Sequence, residues 1–202
     1  MLTAAQVPLT ESALLVVDAQ ESFKLDAKRW QRRNNPNFER NVGALIDAYR
    51  AADLPVIFIL HSDDDPGFST DSPYYKLMDF ISPKPGEPIV HKDTRNAFTS
   101  TNLQSILLHH GVRRVAITGI QMEQCCETTA RVAADLGYAV DFVIDGTMTF
   151  PIPDPDAPNE ELGVAAIEER TIYALRRRFA RIVRASQLAA ELQQLPAAAV
   201  VG

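Results

Sequence analysis

The hydrophobic positions fall into short unbroken runs separated by longer stretches with helical spacing. Ala13-Leu14-Leu15-Val16-Val17 closes on Asp18, and Pro55-Val56-Ile57-Phe58-Ile59-Leu60 repeats the pattern and closes on His61. Such runs, bounded by polar residues, predict strands buried on both faces, as parallel strands between two helix layers are. Between them Val42, Leu45, Ile46 and Tyr49 recur at helical spacing. Asn35-Pro36 predicts an N-cap followed by proline at the first helical position, with helix to about Ala52. Strand, helix, strand in that order predicts a right-handed βαβ unit.

The pattern continues down the chain. Ile89-Val90-His91-Lys92 predicts a short strand ending in lysine, and a helix from about Thr101, carrying Leu103, Ile106 and Leu107, runs to a Gly111 C-cap. Val112 to Thr118 is a fourth strand. It leads through Gly119 into a helix that opens with Cys125, carries Ala130, Val132, Ala133 and Leu136, and stops at Gly137. Tyr138 to Ile144 is a further strand, and a long helix from about Glu161 to Arg177 precedes a short strand, Arg181-Ile182-Val183, and a final helix capped by Ser186. The fold class predicted is α/β: three layers, α/β/α, around a mostly parallel Rossmann-like sheet, as a single domain over 1–202 with its core at about 13–193. Two stretches lack the pattern. Pro66 to Pro88 is long for a connection, and Pro151 to Pro158 is studded with proline; both predict pocket walls. The tail after Pro196 is alanine-rich.

Length and composition narrow the function classes. A chain of 202 residues fits one domain with a substantial core, and 46% hydrophobic with 23% charged residues reads as globular. The net charge of -6 gives no reason to expect nucleic acid or an anionic membrane as partner, and Arg32-Arg33 and Arg176-Arg177-Arg178 read as solvated faces. Met1 to Ser12 lacks the basic start and long apolar core of a signal peptide, and no run approaches the roughly 18 apolar residues of a membrane span, so a cytoplasmic protein is expected. The only two cysteines, Cys125 and Cys126, are adjacent. Their Cα atoms, about 3.8 Å apart, are closer than the roughly 4.4–6.8 Å a disulfide prefers.

Candidate chemistry sits at the ends of the predicted strands. A thiol at a helix N-terminus is pushed toward thiolate by the partial positive charge there, and nearby amides can hold an oxyanion, so Cys125 is a candidate nucleophile. Asp18 stands at the tip of a buried strand, where open α/β sheets place their ligands, and Lys92 ends another. Each has an ordinary reading too: packing for the cysteines, a turn or cap for Asp18, a surface charge for Lys92. Their convergence favours chemistry, because strand ends of one parallel sheet share an edge, and the set supplies a nucleophile, a base and a cation. His61-Ser62-Asp63-Asp64-Asp65 offers a single histidine beside loop aspartates. That is a capping and turn pattern, so neither a metal nor a cofactor is expected.

Three ordered motifs carry a family resemblance: Val16-Val17-Asp18-Ala19-Gln20 with Phe23, Lys92 in a Lys-x-x-x-x-Ala-Phe frame ending at Phe98, and Gly119 with Cys125 and Thr129-Ala130. From about Leu14 to Arg184 the chain resembles the isochorismatase-like cysteine hydrolases, the group that includes nicotinamidases and N-carbamoylsarcosine amidases. The resemblance implies hydrolysis of a small amide, or in one branch a vinyl ether. It makes Asp18 the proton shuttle, Lys92 the orienting cation and Cys125 the nucleophile. It also implies an oxyanion hole from the backbone amides of Gln121 and Cys125, a cis Ile120–Gln121 peptide, pocket walls at Phe23 and Phe98, and a homodimer or homotetramer acting on a small-molecule substrate. Met122, Glu123 and Cys126 depart from the residues common in relatives, and an inward-facing Glu123 raises the thiol pKa. His61 lacks the partner histidine of a nicotinamidase metal site, which disfavours a nicotinamidase. Vinyl ether hydrolysis, a thiol-redox or sensing role, and a catalytically silent scaffold stay open beside the amidase reading.

Overall fold

The computed structural model describes residues 6–157 and 159–195, so Pro158 and the tail from Pro196 onward lie outside the described residues. The first apolar run forms β1 (Ser12–Val17), and after a short helix α1 (Ala27–Gln31) the chain enters α2 (Phe38–Ala51) and β2 (Val56–His61). Next come β3 (Ile89–Lys92), α3 (Leu103–His109) and β4 (Arg114–Ile120). Helix α4 (Glu127–Asp135) leads to β5 (Ala139–Met148), followed by a two-stranded ribbon of β6 (Ile152–Pro153) and β7 (Glu161–Leu162). The chain closes with α5 (Val164–Leu175), β8 (Arg181–Val183) and α6 (Ala185–Gln193).

The main sheet has six strands in the order β3-β2-β1-β4-β5-β8, every neighbouring pair parallel. Alternate residues of a strand point to opposite faces, so each strand feeds two cores. Ala13, Leu15 and Val17 pack with Leu103 and Leu107 of α3, Ala130, Ala133 and Ala134 of α4 and Leu175 of α5. Leu14 and Val16 pack on the other side with Val42, Leu45, Ile46 and Tyr49 of α2 and Leu188 and Leu192 of α6. This is the three-layer α/β/α arrangement. The chain runs outward from β1 to β2 and β3, then returns to β4 on the opposite side of β1. The crevice between the carboxyl ends of β1 and β4 is therefore a topological switch point, where open parallel sheets hold ligands.

Several boundaries differ from expectation, and long-range hydrogen bonds explain them. Helix α2 begins at Phe38 after Asn37, not after Asn35, whose Oδ1 accepts from the Asn37 N–H at 3.2 Å while its NH2 donates to the carbonyls of Asp145 (2.7 Å) and Thr147 (3.1 Å) and ties this turn to β5. Strand β5 runs through Asp145-Gly146 to Met148 instead of stopping at Ile144. Its register against β4 shifts between the Ile117↔Phe142 and Gly119↔Thr147 pairs, a bulge that absorbs the extra residues. Helix α5 starts at Val164, since Glu161 and Leu162 pair with Ile152 and Pro153. Ser186 does not cap α6; Asp145 Oδ1 accepts from the Ala185 N–H at 2.7 Å, a cap supplied by another segment.

Candidate active site

Strand β1 pairs with β4 over its whole length, with Val17 opposite Gly119. Gly119 has φ 130°, and a Cβ there would lie 1.8 Å from the Val17 carbonyl oxygen, so only glycine lets the two strands approach this closely just below their carboxyl ends. Beyond it the Ile120–Gln121 peptide is cis, as the resemblance implied. Residues Met122–Cys126 form one wide π-type turn in which the N–H groups of Gln124 and Cys126 both donate to the Gln121 carbonyl, each at 3.2 Å. Regular α-helix begins only at Glu127. Cys125 thus sits inside the widened turn and not at the first position of the helix, which corrects the expectation from sequence.

That turn faces Asp18 and Lys92. Asp18 leaves β1 in the left-handed region (φ 51°), its N–H donating to Ile59 O at 2.9 Å. Lys92 Nζ donates to Asp18 Oδ2 at 2.8 Å and Thr94 O at 3.1 Å, and contacts Cys125 Sγ at 3.5 Å. The side chains of Asp18 and Lys92 are wholly buried, and Cys125 is 4% exposed. Three residues from three strand ends meet as expected.

Electrostatics differ from the sequence reading. Burial pushes the Cys125 thiol up to about 12, the Asp18 carboxylate adds to the rise, and Lys92 opposes it. The resting cysteine is a thiol, not the thiolate expected of a helix N-terminus, because desolvation outweighs the cation. Burial also raises Asp18, with Lys92 pulling it back. Asp18 Oδ1 has no hydrogen-bond partner among the described residues, so one carboxylate oxygen is held by lysine and the other is free to accept. Cys126 is fully buried, and its thiol is held well above the ordinary value by burial first and then by Cys125, Asp18 and Glu123. Glu123 Oε2 accepts from Thr149 Oγ1 at 2.6 Å.

The surroundings hold residues whose place the sequence did not disclose. The buried Gln20 amide brackets the backbone of His61, accepting from its N–H at 2.9 Å and donating to its carbonyl at 3.1 Å. His61 Nε2 is 2.9 Å from Arg95 Nη1 and 3.2 Å from Asp63 Oδ2. A guanidinium has only donors and a carboxylate only acceptors, so the two contacts at Nε2 favour opposite tautomers, while Nδ1 is buried with no partner among the described residues. Burial first, then Lys92, lowers the His61 pKa and keeps the ring neutral. Among the described residues no group of three or more His, Cys, Asp or Glu side chains is placed to hold a metal ion.

Phe23 meets Phe68 edge-on at 5.0 Å and stacks on Phe150 at 6.1 Å, while Phe68 lies 6.2 Å from the His61 ring. An aromatic wall therefore runs from the residue beside the triad into the loops after β1, β2 and β5. Phe98 is not part of it. It stacks on Tyr138 at 5.9 Å, at the amino end of β5, while its neighbour Ala97 donates to Thr129 Oγ1 at 3.1 Å. The only signals that pointed to the missed residues were their positions: Phe68 in the long loop, and Arg95 three residues past Lys92.

Residues 12–185 match the model of the isochorismatase domain. The chain is 33% identical over 193 residues to nicotinamidase 3 of Arabidopsis thaliana, covering 88% of this chain and 86% of the relative. It is 23% identical over 232 residues to the ureidoacrylate amidohydrolase RutB of Rhizobium rhizogenes, covering 96% and 89%. A crystal structure of an isochorismatase-family protein from Chromobacterium violaceum superposes with a TM-score of 0.84 at 26% identity, covering 92% of this chain and 95% of that one.

Proposed function

Because this chain belongs to the isochorismatase family, whose members are hydrolases and include amidases, we propose that it cleaves the C–N bond of a small amide or carbamoyl compound through a covalent acyl-enzyme on Cys125. The observation that supports this reading most is the buried contact of Lys92 with both Asp18 and Cys125. In the proposed reaction Asp18 Oδ1 takes the Sγ proton as sulfur attacks the carbonyl carbon. Lys92 stays charged and offsets the negative charge as it passes between carboxylate and sulfur. The oxyanion lies on the N–H groups of Gln121 and Cys125. On collapse the C–N bond breaks and the leaving amine receives the proton from Asp18. Water then attacks the thioester, Asp18 takes its proton, and the acid product leaves with the thiol restored. Phe23 lines the pocket through its place in the aromatic wall, and Phe98 serves packing.

One relative is named a nicotinamidase, and the resemblance raised a nicotinamidase-type metal site at His61. The donor set here does not fit one, since among the described residues no group of three or more His, Cys, Asp or Glu side chains converges on His61. No step of the reaction is assigned to a metal.

Cys125→Ala is expected to abolish turnover while Cys126→Ala retains most of it. Mass spectrometry of protein mixed with a panel of small amides and carbamoyl compounds is expected to find an adduct on Cys125. Equal losses in the two variants indicate a dithiol mechanism instead, and intact turnover in Cys125→Ala sinks the proposal. The resemblance further leads us to propose a homodimer or homotetramer. Light scattering that returns the 22.3 kDa of one chain overturns that.

A further inference from the structure

We propose that Arg95 is the anchor for a carboxylate on the substrate, so that the compound cleaved is an amide or carbamoyl acid and not a neutral amide. The inference rests on the hydrolase reading for which site it serves, and on the following geometry for the anion. His61 and Lys92 are register partners at the carboxyl ends of β2 and β3. Lys92 Nζ holds Thr94 O, which starts a turn, and the next residue, Arg95, reaches back across the strand ends to His61 Nε2 at 2.9 Å. Its guanidinium therefore stands over the same edge as the triad. His61 is 4% exposed and its backbone is bracketed by Gln20, so the contact fixes one corner of an otherwise exposed arginine.

Four donors of that guanidinium remain. Among the described residues no carboxylate lies within ion-pair distance of it, in contrast to Arg114, Arg131, Arg170 and Arg181, each of which is paired with an acid. The nearest acid around His61 is Asp63, whose Oδ2 lies 3.2 Å from Nε2 and whose Oδ1 accepts from Asp65 N at 2.9 Å, and it forms no ion pair with Arg95. Inside the site the Asp18 charge is matched by Lys92, the thiol is neutral at rest and His61 is neutral. The positive charge left over at the mouth is that of Arg95, a planar fork suited to a carboxylate. The edge-on pair of Phe68 and Phe23 flanks His61 and supplies an apolar wall for the short spacer between carboxylate and scissile carbonyl.

The test compares succinamate with butyramide, two amides of the same chain length that differ in the carboxylate. Titration calorimetry is done in a Cys125→Ala background, which prevents turnover, with Arg95 intact, Arg95→Met and Arg95→Lys. Succinamate is expected to bind about 10- to 100-fold more tightly than butyramide when Arg95 is present, the range for hydrogen bonds to a charged group. The discrimination is expected to fall toward unity in Arg95→Met and to recover in part in Arg95→Lys. Equal binding of the two amides with Arg95 intact, no binding of succinamate, or unchanged discrimination in Arg95→Met overturns the proposal. Arg95-dependent discrimination without any Cys125 adduct in the catalytically intact protein sinks the hydrolase reading and leaves the anion anchor standing.

Discussion

Burial and the Asp18 carboxylate both hold the Cys125 proton in place, and in the proposed reaction the thiolate forms as Asp18 accepts that proton. Linkage gives the sign: the thiolate fraction rises about tenfold per pH unit while pH stays below the thiol pKa. The rate of Cys125 alkylation by iodoacetamide is therefore expected to climb through pH 10 without levelling, where an unperturbed thiol of pKa about 8.5 is already flattening. Lys92→Met removes the opposing cation and is expected to slow alkylation at each pH. A plateau below pH 8 in the unmodified protein shows the resting state to be a thiolate instead. The candidate residues Asp18, Lys92 and Cys125 were legible in the sequence because each ends or follows a predicted strand. The protonation state was not, because it depends on how completely neighbours from other segments exclude water.

At the scale of elements, the site depends on how closely β1 and β4 approach. Gly119→Ala is expected to destabilise the fold by at least about 3 kcal/mol, measured by denaturant unfolding, since the added methyl meets backbone at Val17 and cannot move aside. A loss below about 1 kcal/mol indicates that the strands can part and that Cys125 is positioned by other contacts. The inner strands were legible because buried parallel strands read as continuous apolar runs, and the edge strand Ile89 to Lys92, alternately exposed and buried, still has the expected bounds. Helix starts were less so. The polar side chains that made Asn35 and Ser186 plausible caps are recognised locally, whereas the bonds that decided the matter run from Asn35 to β5 and from Asp145 to α6.

Over the whole molecule, one buried carboxylate ties the last strands to the rest. Asp141 on β5 is fully buried and paired with Arg114 of β4 at 2.7 Å and Arg181 of β8 at 2.6 Å, and Arg181 in turn holds Glu191 of α6 at 2.8 Å. Asp141→Asn is expected to lower stability by about 3–5 kcal/mol, because two cations lose their shared partner in a buried setting. Since Asp141 lies outside the triad's surroundings, kcat below the melting transition is expected to stay unchanged. Thermal unfolding and steady-state kinetics on the same preparation check both halves. A fall in kcat with stability intact shows the network to reach the site.

What the sequence by itself determined is what apolar pattern and chain order encode: six strands, their helices on two faces, and three chemical groups delivered to strand ends. The common edge follows from parallel topology. The tertiary structure decided everything that depends on distant neighbours. It kept Cys125 protonated, moved Phe98 onto Tyr138, built the aromatic wall from Phe68 and Phe150, and set Arg95 against His61. The physical reason is range. Periodicity is a property of adjacent residues, whereas desolvation, ring stacking and hydrogen bonds between loops arise only when segments far apart in the chain are brought within a few ångströms.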